Sequence, residues 1–386
     1  DTTHMLILGI ESSCDDTSVA LLDCSDKGYF VVSEKTASQI DVHKKYGGVV
    51  PEIAGRMHAE KIVPLIEAVL EHQPKPDAIA VTSGPGLITG LLVGVEAARV
   101  LSYAWDIPLI ATNHIEGHIY STQIQNHNNT DHSLLPTPQI NFPALALIVS
   151  GGHTELILMR DHGDYKILGS TKDDAAGECF DKVAKLISLT YPGGPQISKL
   201  ALEGKTDAIN FPRPMINSGD YNFSFSGLKT SALYWLRDNG VVIPTESQDE
   251  WRNPLNSEAK GSLAGVYTLQ GARDDKNRQI TINDFCASFE QAIIDVLVAK
   301  TIKAAEEYKP KTIILGGGVS ANKKLRETLA KEITKRFPEI NFQIPELKYA
   351  MDNGAMIATA GYHHALKKEF TSWKKITADP NWKIDN

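Results

Sequence analysis

Residues 5–22 read MLILGIESSCDDTSVALL and residues 144–159 read ALALIVSGGHTELILM, and these two stretches decide the fold. Each is an apolar run, a short polar turn and a second apolar run, which is the pattern of two strands joined by a turn. A Rossmann unit would place a helix directly after the glycine turn, and no GxxxxGK[ST] loop occurs in the chain. The repeat therefore predicts an α/β protein of two lobes that open in the same way.

Amphipathic stretches and polar breaks predict the organisation between and after these units. Helical spacing is found at residues 49–70 and 88–105, and a short helix is expected from His114. The predicted divisions are a tag remnant at 1–4, a first lobe at 5–123, a linker loop at 124–142, a second lobe at 143–350 with a surface insertion at 238–280, and residues 351–386 as a C-terminal helix that returns to the first lobe, plus a tail.

Composition excludes several classes of protein. The chain has 386 residues, 42% of them hydrophobic, and its longest apolar runs are too short to span a bilayer. The four cysteines form no CxxC pair, and no signal peptide is evident, so a reducing cytoplasmic location is expected. The net charge of −8 argues against a protein coated in nucleic acid but leaves room for local basic patches.

The sequence HIEGH at residues 114–118 is the first motif that could carry chemistry. His114 and His118 lie four residues apart, so on a helix they share one face and can bind one metal ion. The glutamate does not follow the first histidine directly, so the HExxH arrangement of metalloproteases is absent. A third ligand must come from elsewhere, and Asp352 is the candidate.

Two glycine turns are candidate ligand sites. Ser150, Gly151, Gly152 and His153 join two strands, and their backbone N–H groups could converge on a phosphate. In the second turn a strand ends in three glycines before a helix, with Ser320 as a candidate N-cap and a side-chain amide that could bind a base or ribose. The residues of this second turn are Gly316, Gly317, Gly318 and Asn322.

Carboxylates provide the remaining candidates. Asp15 and Asp16 stand together in the first polar turn, where they could organise a metal or transfer a proton, although aspartate also favours turns for structural reasons. Asp181 is best explained if it holds a ribose hydroxyl. Glu178 and Lys182 have the spacing of an ordinary helical ion pair.

Ten motifs in order resemble one family. They are GIESSCDDTSVALL, YGGVVPEIAGRMH, TSGPGLITGLLVG, NHIEGH, LIVSGGHTELI, DDAAGECFDKVAKLI, YPGGP, FSFSGLKT, LGGGVSANKKLR and MDNGAMIA. Together they are similar to the tRNA N6-adenosine threonylcarbamoyltransferase (TsaD) family, over a region from about Met5 to Tyr362. The resemblance implies an actin/Hsp70-like ATPase fold, in which two duplicated lobes enclose a central nucleotide cleft.

The resemblance also implies site residues. The family's single divalent metal, expected to be iron or zinc with magnesium as an alternative, would be bound by His114, His118 and Asp352. Threonylcarbamoyl-AMP, or ATP or ADP, would occupy the cleft. Its contacts would come from Ile148, Val149, Ser150, Gly151 and Gly152, together with Asp181, Gly194 and Asn322. The chain has Asp16 where the family commonly has glutamate, which shortens that side chain by one methylene.

The implied reaction transfers the threonylcarbamoyl group to the N6 amine of the adenosine 3′ of the anticodon, in tRNAs that read codons starting with A. The implied partners are tRNA, an inactive TsaB-like paralogue and a small TsaE-like ATPase, with a homodimer also open and no membrane. Three alternatives remain at this point: a glycoprotease-like metalloprotease, a small-molecule kinase of the same fold, and a nucleotide-binding scaffold without chemistry.

Overall fold

The structure is a computed structural model that describes residues 4–125, 139–240 and 279–386. The strands of the first sheet are β1 (Met5–Glu11), β2 (Asp16–Ser25), β3 (Gly28–Ser38), β4 (Ala78–Gly84), β5 (Leu109–Asn113) and β6 (Ile124–Gln125). Those of the second sheet are β7 (Ala144–Val149), β8 (Thr154–Asp161), β9 (Asp164–Ser170), β10 (Thr312–Gly316) and β11 (Asn341–Gln343).

The two sheets share one topology. The first has the order β5-β4-β1-β2-β3-β6, and the second has the order β11-β10-β7-β8-β9. In each, an antiparallel three-stranded meander is extended by parallel strands on the side of its first strand. The second sheet thus repeats the first without β6, which confirms the predicted duplication.

Ten helices occur in the described ranges. They are α1 (Ile40–His43), α2 (Pro51–Leu70), α3 (Ile88–Trp105), α4 (His114–Tyr120), α5 (Ala176–Leu186), α6 (Gly193–Ala201), α7 (Ser226–Asp238), α8 (Ile282–Tyr308), α9 (Lys323–Arg336) and α10 (Gly354–Leu366). Helix α2 continues through Pro64, and Pro51 stands in its first turn, where its missing N–H costs nothing.

The first sheet is covered on both faces, which explains why β1 and β4 are almost uninterrupted apolar runs. Ile7 and Leu22 face a core that includes Met356 of α10, whereas Leu8 and Ile10 belong to the core beneath α2 and α3. Helix α10, the last helix of the chain, therefore packs on the first sheet.

Close backbone approach fixes the start of α10 against β1. A Cβ atom at Gly9 would lie 2.0 Å from the Gly354 carbonyl oxygen, so no larger residue fits there. The Gly354 N–H also donates to Ser18 Oγ at 2.9 Å. These contacts hold the preceding residue pair, Asp352 and Asn353, beside the polar turn of the first lobe.

The tail after α10 is ordered against the rest of the protein. The Thr371 N–H donates to the Leu109 carbonyl, and the Asp379 N–H donates to the Ser83 carbonyl at 2.7 Å. Ile384 is buried in the apolar cluster beneath the second sheet. The tail therefore runs along the edge of the first sheet and ends on the second.

Two predicted irregular regions differ from the structure or lie outside it. The predicted linker 124–142 begins instead with the short strand β6, which pairs with β3, and its residues 126–138 lie outside the described part. Residues 241–278 of the predicted insertion also lie outside it. Asp238 ends α7, and a Thr281–Asp284 capping box begins α8.

Candidate metal centre and nucleotide cleft

His114, His118 and Asp352 come together where α4 meets the residues before α10. His118 Nε2 lies 3.2 Å from Asp352 Oδ1, and His114 Nε2 lies 3.6 Å from the same oxygen. Two ligand atoms on one tetrahedral metal lie roughly 3.3 Å apart, because each bond is about 2.0–2.2 Å long. The three side chains therefore have the spacing of a ligand set, and all three ligand atoms lie within 4.8 Å of one another.

His118 carries the clearest sign that this cluster binds an ion. Its side chain is fully buried, yet neither ring nitrogen makes a well-aligned hydrogen bond to the described residues. Burying a polar atom without a partner costs about 1–3 kcal/mol. A metal ion shared by His118 Nε2 and Asp352 Oδ1, which lie 3.2 Å apart, would give that nitrogen a bond, so the residues present fit a divalent cation.

Glu11, at the end of β1, orients His114. Its Oε2 lies 3.1 Å from His114 Nδ1, and the same carboxylate accepts hydrogen bonds from the Ser13 N–H and the Thr82 hydroxyl, both at 2.6 Å. A carboxylate that binds one imidazole nitrogen directs the other toward a metal. Sequence reasoning missed Glu11, although an acid at the end of the apolar run LILGI was a usable signal.

Burial and the two neighbouring carboxylates set the protonation of the histidines in this cluster. Burial lowers the pKa of His114, but Asp352 and Glu11 outweigh burial and raise it to about 9. Burial lowers the pKa of His118, and burial with the neighbouring His114 lowers that of His153 to about 4. His153 is therefore neutral near pH 7, and its ring centroid lies 6.4 Å from that of His114.

Asp15 and Asp16 lie close to the same cluster. Burial is the main cause that raises the pKa of both, and that of Asp16 reaches about 7, with Asp352 contributing. Asp16 Oδ1 is buried without a hydrogen-bond partner in the described residues. Asp15 Oδ2 accepts a hydrogen bond from the Tyr191 hydroxyl of the second lobe at 3.3 Å, so this turn contacts both lobes.

The turn between β7 and β8 is open. The Ser150 N–H donates to the His153 carbonyl at 2.8 Å, and Ser150 Oγ accepts from the His153 N–H at 3.1 Å. A Cβ atom at Gly151 or Gly152 would meet nothing within 4 Å, and neither glycine has a left-handed φ. Packing therefore does not require these glycines, and the space above them is available to a ligand.

A cavity of about 420 Å³ adjoins this turn and brings several predicted residues together. Gly151, Asp181, Gly194, Gly318 and Asn322 all line it. Its further lining residues include Phe180, Tyr191, Pro195, Ser198, Val319 and Met351. The cavity has the apolar walls and few polar groups typical of a nucleoside site, and Met351 connects it to the candidate metal ligand Asp352.

Asp181 faces this cavity with one oxygen already engaged. Its Oδ1 accepts the Gly193 N–H at 2.7 Å, and burial raises its pKa to about 6 despite bonds from the Gly193 and Gly194 N–H groups. The predicted Glu178–Lys182 ion pair is present at 2.9 Å, and Lys182 also contacts Asp174. These two residues therefore have an ordinary helix-surface role.

Gly316 and Gly317, at the end of β10, have a packing explanation in addition to the predicted one, whereas Gly318 lines the cavity. A Cβ atom at Gly316 would lie 2.7 Å from the His118 carbonyl oxygen, and one at Gly317, where φ is +84°, would lie 2.5 Å from the Val149 carbonyl oxygen. Packing alone thus requires glycine at both positions. The predicted N-cap Ser320 was wrong: Asn322 caps α9 by accepting the Leu325 N–H at 2.8 Å.

The side chains of Ile148 and Val149 are fully buried in two different apolar clusters. Only the backbone of these predicted binding residues remains for contact with a ligand.

Glu116, within the HIEGH motif, accepts a hydrogen bond from Tyr165 at 2.6 Å and lies 2.7 Å from His364 Nε2. Because it points away from the metal cluster, the motif lacks the general base of a metalloprotease.

The arrangement defines a class of protein. Two sheets share one topology, a cavity lies at the β7–β8 turn, and a candidate metal-binding cluster lies beside the β1–β2 turn. The class is the two-lobed actin/Hsp70-like ATPase fold. Two solved structures of HypF share the fold. HypF from T. kodakarensis has a TM-score of 0.52 at 13% identity, and a full-length HypF in the phosphate- and nucleotide-bound form has a TM-score of 0.55 at 12% identity. They match 95% and 96% of this chain, which spans about half of theirs (49% and 47%).

Sequence comparison identifies the family. The family model for tRNA N6-adenosine threonylcarbamoyltransferase, TsaD, matches residues 30–359. A protein of that name from Bacillus subtilis (strain 168) is 44% identical over 92% of this chain and 90% of its own length. A protein of the same name from Listeria welshimeri is 42% identical over 99% of this chain and 98% of its own length.

The chain therefore belongs to the TsaD family, as its motifs indicated. It is a transferase that places a threonylcarbamoyl group on the N6 amine of adenosine in tRNA. In the described ranges, no helix combines the length and apolar character needed to cross a membrane.

Proposed function

We propose that the cleft binds threonylcarbamoyl-AMP with its adenosine in the 420 Å³ cavity and its phosphate on the Ser150–Gly152 turn. The observation that carries this proposal is the adjacency of three features: Gly151 lines the cavity, the same turn ends at His153, and His153 faces His114. A donor seated in this way presents its carbamoyl carbon toward the metal ligands.

The reaction forms a bond between the N6 nitrogen of the tRNA adenosine and the carbamoyl carbon. The bond from that carbon to the phosphate oxygen breaks, and AMP leaves with the electron pair. His114, His118 and Asp352 would hold iron or zinc, with magnesium less suited to two imidazoles. When bound, such an ion supplies Lewis acidity to the carbonyl or phosphate oxygens of the donor.

The protein's own groups would complete the transfer. Backbone N–H groups of the open turn would hold the phosphate as negative charge develops on it. Asp16 is suited to accept the N6 proton because its pKa of about 7 lies near the working pH. Asp15 would assist by keeping Tyr191 and the second lobe in place. Ile148 and Val149 would contribute backbone, and Asp181, Gly194 and Asn322 would contact the nucleoside.

The acceptor would be the adenosine 3′ of the anticodon in tRNAs that read codons starting with A. Its base must leave the anticodon stack to reach a buried centre, as in other base-modifying enzymes. Lys323, at the cavity rim, and Lys324 are exposed at the start of α9 and are candidates for phosphate contacts outside the cleft.

Partner docking would use the first lobe. Helices α2 and α3 leave an apolar groove of about 800 Å³ between them. Val63, Leu92 and Val100 line it and are 55%, 46% and 61% exposed. Exposed apolar area of this kind is typical of a protein interface. A TsaB-like paralogue is the proposed occupant, with a TsaE-like ATPase joining the complex and a homodimer as the alternative.

The proposed domain limits follow the earlier divisions, with β6 added to the first lobe at Ile124–Gln125. Free cysteines at all four positions fit the proposed cytoplasmic location. Neither statement affects the chemistry at the cleft.

A transfer assay tests the proposal directly. The chain would be incubated with unmodified tRNA, threonylcarbamoyl-AMP, Fe²⁺ or Zn²⁺ and the candidate partners, and the digested nucleosides would be analysed by mass spectrometry. Threonylcarbamoyladenosine is expected with the wild type and should be lost in His114→Ala. His58→Asn is the matched control, since His58 is also buried in the first lobe but bonds Thr17 and the Cys14 carbonyl. Equal product from His114→Ala would contradict the proposed metal centre.

A further inference from the structure

A buried carboxylate stands behind the polar wall of the nucleotide cavity. Glu290, on α8, is 6% exposed, and its Oε1 accepts hydrogen bonds from Ser198 Oγ at 2.6 Å and Asn322 Nδ2 at 2.7 Å. Asn322 Nδ2 also donates to Ser198 Oγ at 3.0 Å. Ser198 and Asn322 both line the cavity, so Glu290 connects the two cavity polar groups from behind.

The directions of these hydrogen bonds are fixed by chemistry. The Ser198 hydroxyl and the Asn322 amide both donate to the carboxylate oxygen Glu290 Oε1. The backbone N–H of Leu325 donates to Asn322 Oδ1 at 2.8 Å, which independently fixes the orientation of the amide. Every side-chain donor of Ser198 and Asn322 is thus used within the protein. Toward the cavity, these two residues can offer only the lone pairs of Ser198 Oγ and Asn322 Oδ1.

The position of this wall points to the base of a nucleotide. Asp181, which is expected to hold a ribose hydroxyl, and Gly194 both line the cavity. Ser198 lies four residues beyond Gly194 on α6, which is about 6 Å farther along the helix axis. A nucleoside whose sugar lies at Asp181 therefore extends its base toward Ser198 and Asn322.

We infer that Glu290 is a positioning residue that makes the cavity select a 6-amino purine over a 6-oxo purine. The inference rests on the proposed seat of the adenylate in this cavity. Adenine carries a donor at position 6, which the lone pairs of the wall can accept. Hypoxanthine carries an acceptor there, which would face the lone pairs of the wall. Glu290 keeps the Ser198 hydroxyl from turning to donate to it.

Calorimetric titration of AMP and IMP tests the inference. The wild type should bind AMP at least about tenfold more tightly than IMP, because one unmatched polar contact costs about 1–3 kcal/mol. In Glu290→Leu the Ser198 hydroxyl loses its acceptor and can turn to donate into the cavity, while the Leu325 N–H still holds the Asn322 amide, so the ratio should fall to within about threefold. Glu290→Gln should keep the wild-type preference, because its amide oxygen can replace Oε1.

Controls separate this role from general damage. Asp295→Ala removes a carboxylate of the same helix whose partners are Arg213 and Gln291, and it should leave the AMP to IMP ratio unchanged. The affinity for 2′-deoxy-AMP relative to AMP should be equal in the wild type and Glu290→Leu, because the ribose contacts are at Asp181. Glu290→Met serves if the leucine variant does not fold.

The outcomes are distinguishable. If the wild type binds neither nucleotide, the proposed seat of the adenylate fails, and this inference fails with it. If AMP and IMP bind equally to the wild type, the seat survives and the inference is overturned. A change confined to the deoxy-AMP ratio in Glu290→Leu would also overturn it, since the wall would then contact the ribose.

Discussion

The β1–β2 turn of the first lobe and the β7–β8 turn of the second occupy equivalent places in two sheets of the same topology. The first turn carries acids at both ends: Glu11 contacts the Ser13 N–H of the turn as well as Thr82 and His114 from neighbouring elements, and Asp16 is buried. The second turn has no acid, and the positions above Gly151 and Gly152 are empty within 4 Å. Duplicated strands can thus carry different chemistry, because the turn residues decide whether the lobe supplies charge or leaves room for it.

The largest expected effect comes from removing a metal ligand. Asp352→Ala should lower the transfer rate about 1,000-fold or more, since the polarising ion would be lost. AMP affinity should stay within about threefold of the wild type, because the nucleotide contacts lie on the second lobe. Metal analysis and calorimetry check the two halves. An equal loss of AMP binding would mean that the two turns form one inseparable site.

A side chain added in the β7–β8 turn should have the opposite pattern, because it should weaken nucleotide binding and leave the metal site intact. Gly152→Val should weaken AMP binding about 100-fold, because the new side chain occupies the proposed phosphate seat. Metal content should be unchanged, and the free energy of unfolding should change by less than about 1 kcal/mol, since nothing packs against that position. Gly219→Ala, at another glycine with open space, is the matched control. Normal AMP binding in Gly152→Val would exclude the turn as the phosphate seat.

The β1–β2 turn can be tested through Glu11, which stands at its start. Glu11→Gln should reduce metal affinity about 10- to 100-fold, because a neutral amide orients His114 less strongly than a carboxylate does. Competition with a chelator of known affinity measures the change, and AMP affinity serves as the internal control. Unchanged metal affinity would show that Glu11 is only a structural acid.

The smallest expected effect concerns the stability that the protein loses by burying Asp16 in the β1–β2 turn. The folded-state pKa of Asp16 is raised from 3.8 to about 7, so the folded protein holds a proton that the unfolded chain releases between about pH 4 and 7. The wild type therefore loses stability across that window, and the loss is complete above it. Asp16→Asn does not titrate and should be about 2 kcal/mol more stable than the wild type at pH 8, below the upper limit of about 4 kcal/mol that the shift sets.

Chemical denaturation at pH 4 and pH 8 measures this difference. The gain of Asp16→Asn should shrink toward zero as the pH falls to 4, where the wild-type carboxyl is protonated in both states. A gain that is constant with pH would mean that the substitution acts through packing rather than through the buried charge.

Local patterns in the sequence predicted most of the fold. The strand–turn–strand units, α3 from Ile88 to Trp105 and the paired histidines of α4 are all encoded by short-range periodicity. The approach of Asp352 to those histidines depends instead on α10 packing at Gly9 and Gly354, which are 345 residues apart in the sequence. The match between Asp352 and the family's metal ligand supplied what spacing alone could not.

Other parts of the site depend on tertiary contacts that no local pattern contains. Glu11 and Glu290 are single acids in apolar segments, and only the fold shows that their carboxylates are buried against polar partners. Gly316 and Gly317 suggested a ligand, but the neighbouring backbone of His118 and Val149 explains them. A glycine next to a ligand and a glycine next to another chain segment have the same sequence signal.

The most direct test of the central claim measures how close the bound phosphate lies to the bound metal ion. The protein would be loaded with paramagnetic Co²⁺ and AMP, and ³¹P relaxation of the bound nucleotide would be recorded, with Zn²⁺ as the diamagnetic reference. Strong enhancement that disappears in His118→Ala is expected if the β7–β8 turn holds the phosphate beside a metal bound by His114, His118 and Asp352. Bound AMP whose phosphorus is unaffected by bound Co²⁺ would contradict the account, because the phosphate and the metal would then occupy separate sites.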